Sequence, residues 1–254
     1  MNKIAPKTLF TGKIIKYLPT CHSTNDVALE MIQNGDIFEG TVVVTDKQTA
    51  GRGQRGNSWE AQSGMNLTFS LILKPDFLKA SEQFQLNIAI SLGVSDFLNE
   101  FIDEGLKIKW SNDLYCYNQK IGGMLFENSL QGYNIGYSII GIGLNINQMS
   151  FDSQTATSLK NITGNPLPYE LPSLLEKLLE AIEKKYLLLR NGGIDSLKQQ
   201  YISKLFRYQE WHYFRKDGIE FLGQILGIDE QGKLAVEAEG RIQYFGFKEI
   251  QFVI

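Results

Sequence analysis

The sequence predicts an α/β or α+β body followed by a small all-β module. Three observations carry this. Strand-length runs of β-branched and apolar residues alternate, as far as Tyr208, with longer runs whose apolar residues recur every three to four positions. After about Gln209 the texture changes to five short strand-like runs separated by glycine-containing turns. Hydrophobic residues make up 43% and charged residues 21% of the 254 positions, a globular balance that excludes an intrinsically disordered chain.

The elements follow in order. Ile14–Leu18 is a short strand. Ser23-Thr24-Asn25-Asp26 opens a helix with Val27, Ala28, Met31 and Ile32 as its apolar residues. Ser23 is a good N-cap, and Asn34-Gly35 stop the helix because glycine takes left-handed backbone without steric cost. Thr41–Thr45 is β-branched throughout and reads as a buried strand. Gly51–Asn57 is a loop rich in glycine and arginine. Asn66–Leu73 is a strand ended by Lys74-Pro75, and Ser81–Phe101 is a helix with Phe84, Ile88, Leu92 and Leu98 among its apolar residues. Leu106–Trp110, Leu114–Tyr117 and Lys120–Phe126 are strands, with Asn118-Gln119 the expected two-residue turn. Tyr137–Ile146 is another strand. Pro172–Arg190 is the clearest helix: Pro172 suits the first position, Leu175, Leu178, Leu179, Ile182 and Tyr186 form a face, and Asn191-Gly192-Gly193 end it. Ile194–Tyr208 continues as helix. Glu210–Phe214, Ile219–Leu226, Lys233–Glu237, Arg241–Phe245 and Glu249–Val253 then form a small barrel of SH3 type. The expected boundary divides residues 1–207 from 208–254.

Composition excludes several function classes. Lys plus Arg is 25 and Asp plus Glu is 28, a net charge of −3 that suits no nucleic-acid binder held by phosphate contacts. Two cysteines and two histidines make neither a disulfide scaffold nor an imidazole metal site. The N-terminus lacks the apolar core of a signal peptide. The charge-free stretch from Asn128 to Phe151 is broken by glycines, asparagines and glutamines, so it reads as buried sheet and not as a membrane span. A cytoplasmic protein with no membrane partner is expected.

Three segments carry candidate chemistry. Gly51-Arg52-Gly53-Gln54-Arg55-Gly56 has the form G-x-G-x-x-G, and Asp76 lies twenty residues past Gly56. Yet only ten residues separate Gly56 from Leu67, too few for the crossover helix of a dinucleotide fold. What remains is a flexible surface loop, or an anion-holding loop in which glycine amides and Arg52 and Arg55 surround a phosphate or carboxylate. In the second segment, pairing Tyr117 with Lys120 and Tyr115 with Gly122 puts Lys109, Asp113 and Lys120 on one sheet face. Gly122 and Gly123 leave room there for a ligand on the backbone, although a surface ion pair explains the charges equally well. In the third, Gly141-Ile142-Gly143-Leu144-Asn145-Ile146-Asn147 places two glycines in an apolar strand that ends in asparagines; tight strand packing is the plainer reading.

Together, Ser23-Thr24-Asn25, Gln48-Thr49-Ala50-Gly51-Arg52-Gly53, Lys109-Trp110-Ser111-Asn112-Asp113, Lys120-Ile121-Gly122-Gly123-Met124-Leu125 and Gly141-Ile142-Gly143-Leu144-Asn145 resemble the biotin protein ligases in order and spacing, from Leu18 onward. The resemblance implies an α+β fold, a mixed sheet with helices packed on it plus the small barrel. It implies ATP-dependent activation of biotin to biotinyl-5′-AMP with release of pyrophosphate, then transfer to a lysine of a biotin carboxyl carrier protein. ATP, Mg²⁺ and biotin are the implied small molecules. By motif, Ser23, Thr24 and Gln48 hold the ureido head, with Asn25 also among the biotin-binding residues, Gly51, Arg52 and Gly53 close over the carboxylate and α-phosphate, and Gly123 lines the biotin pocket. Lys120 lies between the two anions. Trp59 stacks on adenine, with Arg55, Lys109 and Asn112 on the adenylate side and Asn145 towards nucleotide or Mg²⁺, which is carried mainly by the ATP phosphates. Asp113, the only carboxylate between Lys109 and Leu125, is the candidate base for the carrier lysine.

The sequence also departs from the family. Gln54 and Asn57 stand where arginines are frequent, and Ser111 replaces a proline, which is expected to loosen its turn. The loop Gly51–Asn57 is expected to be mobile without ligand, its arginines lacking an anion. No room for an N-terminal DNA-binding domain is expected before Ser23, and a homodimer is left open. The competing readings are a lipoate or octanoate transferase on the same framework and a non-catalytic ligand-binding protein.

Overall fold

The computed structural model describes residues 4–35 and 37–253, with every side chain among them except that of Arg55. The larger sheet has seven strands: β1 (Ile15–Cys21), β2 (Val42–Gln48), β3 (Leu67–Leu73), β4 (Leu106–Lys109), β5 (Asp113–Cys116), β6 (Gln119–Gln131) and β7 (Asn134–Leu144). Their spatial order is β1-β2-β3-β7-β6-β5-β4. Only β1 and β2 run parallel, because α1 (Thr24–Gln33) crosses over between them; every other pair is antiparallel. The sheet is therefore mixed, as the family resemblance implies.

Strand alternation sorts the two faces. Leu67, Phe69, Leu71 and Leu73 of β3 and Ile140, Ile142 and Leu144 of β7 bury into the main core. That face is covered by α2 (Gln83–Leu98), then, beyond the short α3 (Leu159–Thr163), by α4 (Leu171–Arg190) and α5 (Ile194–Ser203). The helix α2 is apolar nearly all round because it lies between the sheet and α4. At Gly93 the two helices approach so closely that a Cβ would stand 2.7 Å from the Ile182 Cα. On the opposite face, Val27 and Ala28 of α1 pack on Val43, Ile72 and Ile139. The helix α1 contacts β2, β3 and β7, and beyond it this face opens into a cavity.

The N-terminal segment is strapped to α4 by carboxylates. Ala5 N–H donates to Glu176, Lys7 N–H to Glu180, and the amides of Leu9, Phe10 and Thr11 all donate to Glu183, at 2.6 to 2.9 Å. Burial pushes the Glu183 carboxyl up, but these backbone donors outweigh it and hold the group below its ordinary range.

The second sheet is antiparallel: β8 (Trp211–Lys216), β9 (Ile219–Ile228), β10 (Leu234–Ala238), β11 (Arg241–Phe245) and β12 (Gln251–Phe252), in the order β11-β10-β9-β8-β12. Trp110 fastens it to the body. Its Nε1 donates to the Gly232 carbonyl at 3.0 Å, and its ring stacks on Phe247 at 5.1 Å. Helix α5 ends at Ser203, five residues before the expected Tyr208. Ile108 N–H donates to the Lys204 carbonyl and Phe206 N–H to that of Ile108, so this stretch leaves the helix to satisfy the open edge of β4.

Candidate active site

Register builds the floor of the cavity. Thr68 of β3 lies opposite Gly143 of β7, Gly143 opposite Gly123 of β6, Gly123 opposite Asp113 of β5, and Asp113 opposite Lys109 of β4. Paired residues share a face, so one row crosses five strands with two glycines at its centre and polar groups at its ends. The cavity above it has a volume of about 400 Å³.

The hairpin that supplies Lys120 differs from the expected register. Cys116 pairs with Gln119 and Tyr115 with Lys120, so the turn is Tyr117-Asn118, and a bulge then sets Leu114 opposite Gly122. Tyr117 takes the left-handed conformation (φ 51°), with its N–H on the Gly105 carbonyl and its ring against Gly105. The slip at the turn is two residues, so Lys120 keeps its face. Its Nζ lies 2.8 Å from Asp113 Oδ1. Gly122 faces away: a Cβ there would meet Leu144, whereas one on Gly123 would stand 2.8 Å from the Asp113 carboxylate and 3.2 Å from Lys120 Nζ.

The glycine loop folds back over this floor. Arg52 bridges Ser58 in antiparallel fashion, Gly53 N–H donates to the Asn57 carbonyl at 2.6 Å, and Trp59 N–H to the Gly51 carbonyl at 2.9 Å. The Trp59 ring lies directly on Gly143, where any Cβ would collide with it, and its Nε1 is buried without a partner. Gly51 likewise leaves space for the Gln48 amide, 2.8 Å from where a Cβ would be. The close approach at Gly141 and Gly143 is thus made by protein side chains, Asn25 at the first and Trp59 at the second. The expectation that Arg52 lacks an anion is corrected: its Nη2 pairs with Asp26 and, at 3.3 Å, with Glu127.

At the other end, Gln48 Oε1 accepts from Thr24 N–H at 2.8 Å and from the Thr24 hydroxyl at 3.2 Å. Ser23 occupies the N-cap position of α1 but makes no side-chain cap bond. Its side chain lines the cavity instead.

Ser23, Thr24, Asn25, Gln48, Arg52, Gly53, Trp59, Lys109, Asp113, Lys120 and Gly123 therefore share one cavity, and Gly51 stands behind its wall. The Arg55 side chain lies outside the described residues. Two expected residues are placed elsewhere. Asn112 is buried, accepts from the Ser111 hydroxyl at 2.6 Å and donates to the Met124 carbonyl. Asn145 is buried too, donating to the Thr157 carbonyl at 3.0 Å, with its Oδ1 unpartnered. Neither lines the cavity. At the Ser111 turn, the buried Tyr201 hydroxyl donates to the Ser111 carbonyl at 2.6 Å.

Sequence reasoning missed Ile250, Gln251 and Phe252, which close the cavity from the second sheet. No local signal marks them; they follow the first site residue by more than two hundred positions. Lys109 Nζ lies 5.1 Å from the Phe252 ring centroid and donates to the Tyr115 hydroxyl at 3.2 Å. Burial, with the Asp113 charge adding to it, pushes the Tyr115 phenol up to about 12.

Comparison with known proteins bears on the family and the fold. Residues 17–145 match the Biotin/lipoate A/B protein ligase family. The Bifunctional ligase/repressor BirA of Bacillus spizizenii is 31% identical over 242 residues, 93% of this chain and 73% of that protein. The Biotin--[acetyl-CoA-carboxylase] ligase of Mycobacterium tuberculosis is 26% identical over 86% of this chain and 81% of its own length. The biotin protein ligase of Aquifex aeolicus, solved in complex with biotin and ATP, superposes with a TM-score of 0.79 at 28% identity, covering 95% of this chain and 100% of that one. A match across half the sequence, joined by a relative aligned over nearly all of it, places the chain in the biotin/lipoate A/B protein ligase family.

Proposed function

We propose that this chain is an ATP-dependent biotin protein ligase: it joins biotin to AMP with release of pyrophosphate and passes biotin to a lysine of a biotin carboxyl carrier protein. The observation that carries the reading is the row Thr68–Gly143–Gly123–Asp113, whose two central glycines let the Trp59 ring and the Asp113–Lys120 pair close down on the sheet and frame a cavity under the Arg52 loop. A flat ligand with an anionic tail fits that arrangement.

Ser23, Thr24 and Gln48 hold the ureido head. Gln48 has its oxygen occupied by Thr24, which leaves its amide hydrogens for a ligand carbonyl. A ligand without a ureido group, such as a lipoyl or octanoyl chain, leaves these groups unpaired, and this disfavours the lipoate alternative. Gly51, Arg52 and Gly53 close over the carboxylate and α-phosphate, and Lys120 stands between those anions as they join. Trp59 covers the tail, and Lys109 lies towards the nucleotide. Asp113 holds Lys120 during the first step and takes up, or relays, the proton of the carrier lysine, whose unperturbed pKa is near 10.4, during the second. Mg²⁺, carried on the ATP phosphates, would offset their charge. Among the described residues no group of three or more His, Cys, Asp or Glu side chains is gathered to hold a metal.

The second sheet, from residue 208, acts as a separate module that closes one wall of the site. The test is incubation with ATP, Mg²⁺ and biotin, followed by mass detection of biotinyl-5′-AMP and of a biotinylated carrier domain. Adenylate formed with lipoate or octanoate in place of biotin overturns the reading.

A further inference from the structure

Arg52 is held in a way that the activating step does not by itself require. Both carboxylates that reach it engage the same nitrogen: Nη2 pairs with Asp26 of α1 and, at 3.3 Å, with Glu127 of β6. Each hydrogen of Nη2 thus has an acceptor, while Nε and Nη1 bond to neither carboxylate. Arg52 lines the cavity, so those remaining donors are left for an anion inside it.

Glu127 is itself tied to the far end of the site. Asn25 Nδ2 donates to the same Glu127 oxygen at 2.6 Å. Ser70 Oγ, fully buried, lies between Asn25 Oδ1 at 2.5 Å and Thr24 Oγ1 at 2.7 Å. Thr24 in turn donates to Gln48. Both ends of the Asn25 amide are therefore engaged by protein partners. Gly141 makes this crossing possible, since a Cβ there would stand 2.6 Å from Asn25 Oδ1.

We propose that Asp26 and Glu127 are positioning residues for biotin activation: they fix Arg52 with its free edge towards the reacting anions, and Asn25 and Ser70 link that placement to the head-group contacts of Thr24 and Gln48. This rests on the ligase reading above. Without the two carboxylates the guanidinium is free to follow solvent. With them the loop residue is preset before ATP arrives, so less ordering is left for the activating step.

The experiment is biotin-dependent ATP–pyrophosphate exchange on the whole chain with Asp26→Asn, Glu127→Gln, Arg52→Ala and the two double variants, alongside biotin binding by calorimetry. Each carboxylate variant is isosteric, and the two lie on different elements, so a folding defect in one leaves the other informative; thermal melts identify it. Each single variant is expected to lose about tenfold in kcat/KM for ATP, the effect of one charge-assisted contact. Biotin affinity is expected to fall as well, because Arg52 also closes over the biotin carboxylate, and that fall too is expected to vanish in the Arg52→Ala background. In the Arg52→Ala background both substitutions are expected to cost nothing more, because they act through Arg52. Exchange unchanged in both variants, or the same loss repeated without Arg52, overturns the proposal. A wild-type chain that makes no biotinyl-AMP overturns the ligase reading and this one with it, whereas an active wild type with unaffected variants overturns this one alone.

Discussion

Lys120 and Asp113 face each other across a sheet row, each about one-third exposed, so their 2.8 Å pair adds little to stability. Its value is placement. Lys120→Ala is expected to slow biotinyl-AMP formation by roughly 10²–10³, since the proposed mechanism sets its charge between the two joining anions. The melting temperature should barely move, and a rate loss under about tenfold removes the assigned role. Asp113→Asn keeps the shape, loosens Lys120 and removes the basic oxygen. Both half-reactions should slow, the transfer from preformed adenylate to carrier more than the adenylation. Single-turnover assays of each step check this, and equal slowing leaves Asp113 with positioning alone. Gly143 is a third residue of this kind. Gly143→Ala forces the indole of Trp59 off the floor, and overpacking of this sort costs about 1–3 kcal/mol if the loop stays closed. Faster tryptic cleavage at Arg52 is the expected sign that it opens instead.

At the scale of elements, the strand that delivers a residue matters more than the residue's sequence neighbours. Lys109, Asp113 and Lys120 were legible as one face because strand alternation survives an even slip in register. The turn itself was misplaced, because the pull on Tyr117 comes from Gly105, the residue just before β4, and not from the turn sequence. Gly141 and Gly143 were legible as close approaches, but which groups approach them depends on α1 and on the loop before β3, and no local pattern holds that information. Asn112 and Asn145 fit the family's motifs and yet point into the hairpin and the strand end, where buried backbone carbonyls claim their amides. The strap on α4 was not legible at all, since its carboxylates look like ordinary surface charges in a helical repeat. It makes a sign-definite prediction. A carboxyl held below its ordinary value stabilises the fold above that value and loses the contribution as pH falls through its native one. Acidification should therefore release the amides of Leu9, Phe10 and Thr11 to hydrogen exchange before those of β3, and Glu183→Gln should reproduce the release at neutral pH.

For the whole molecule, the site is finished by the second sheet, so the two sheets share the consequences of losing their joint. Removing Gln251 and Phe252 should open the cavity wall and impair activation while the seven-stranded sheet still folds. At high pH the phenols dominate. Tyr115 is pushed to about 12, and burial raises Tyr186 and Tyr201 further. Raised phenols favour the protonated, folded state, so this stability is intact below pH ~10 and is lost as pH climbs through the native values. Melting curves followed together with phenolate absorbance test the coincidence. The chain's three tryptophans also make it its own optical probe. Trp211 stands half in solvent and does not line the cavity, so it should not register a ligand, whereas Trp110, stacked and bonded at the joint, lines the cavity together with Trp59. Trp59 alone lies over the cavity floor with a buried, unpartnered Nε1. A shift of emission on adding biotin and ATP, reduced in Trp59→Phe and kept in Trp211→Phe, would report occupancy of the site in unlabelled protein as it happens.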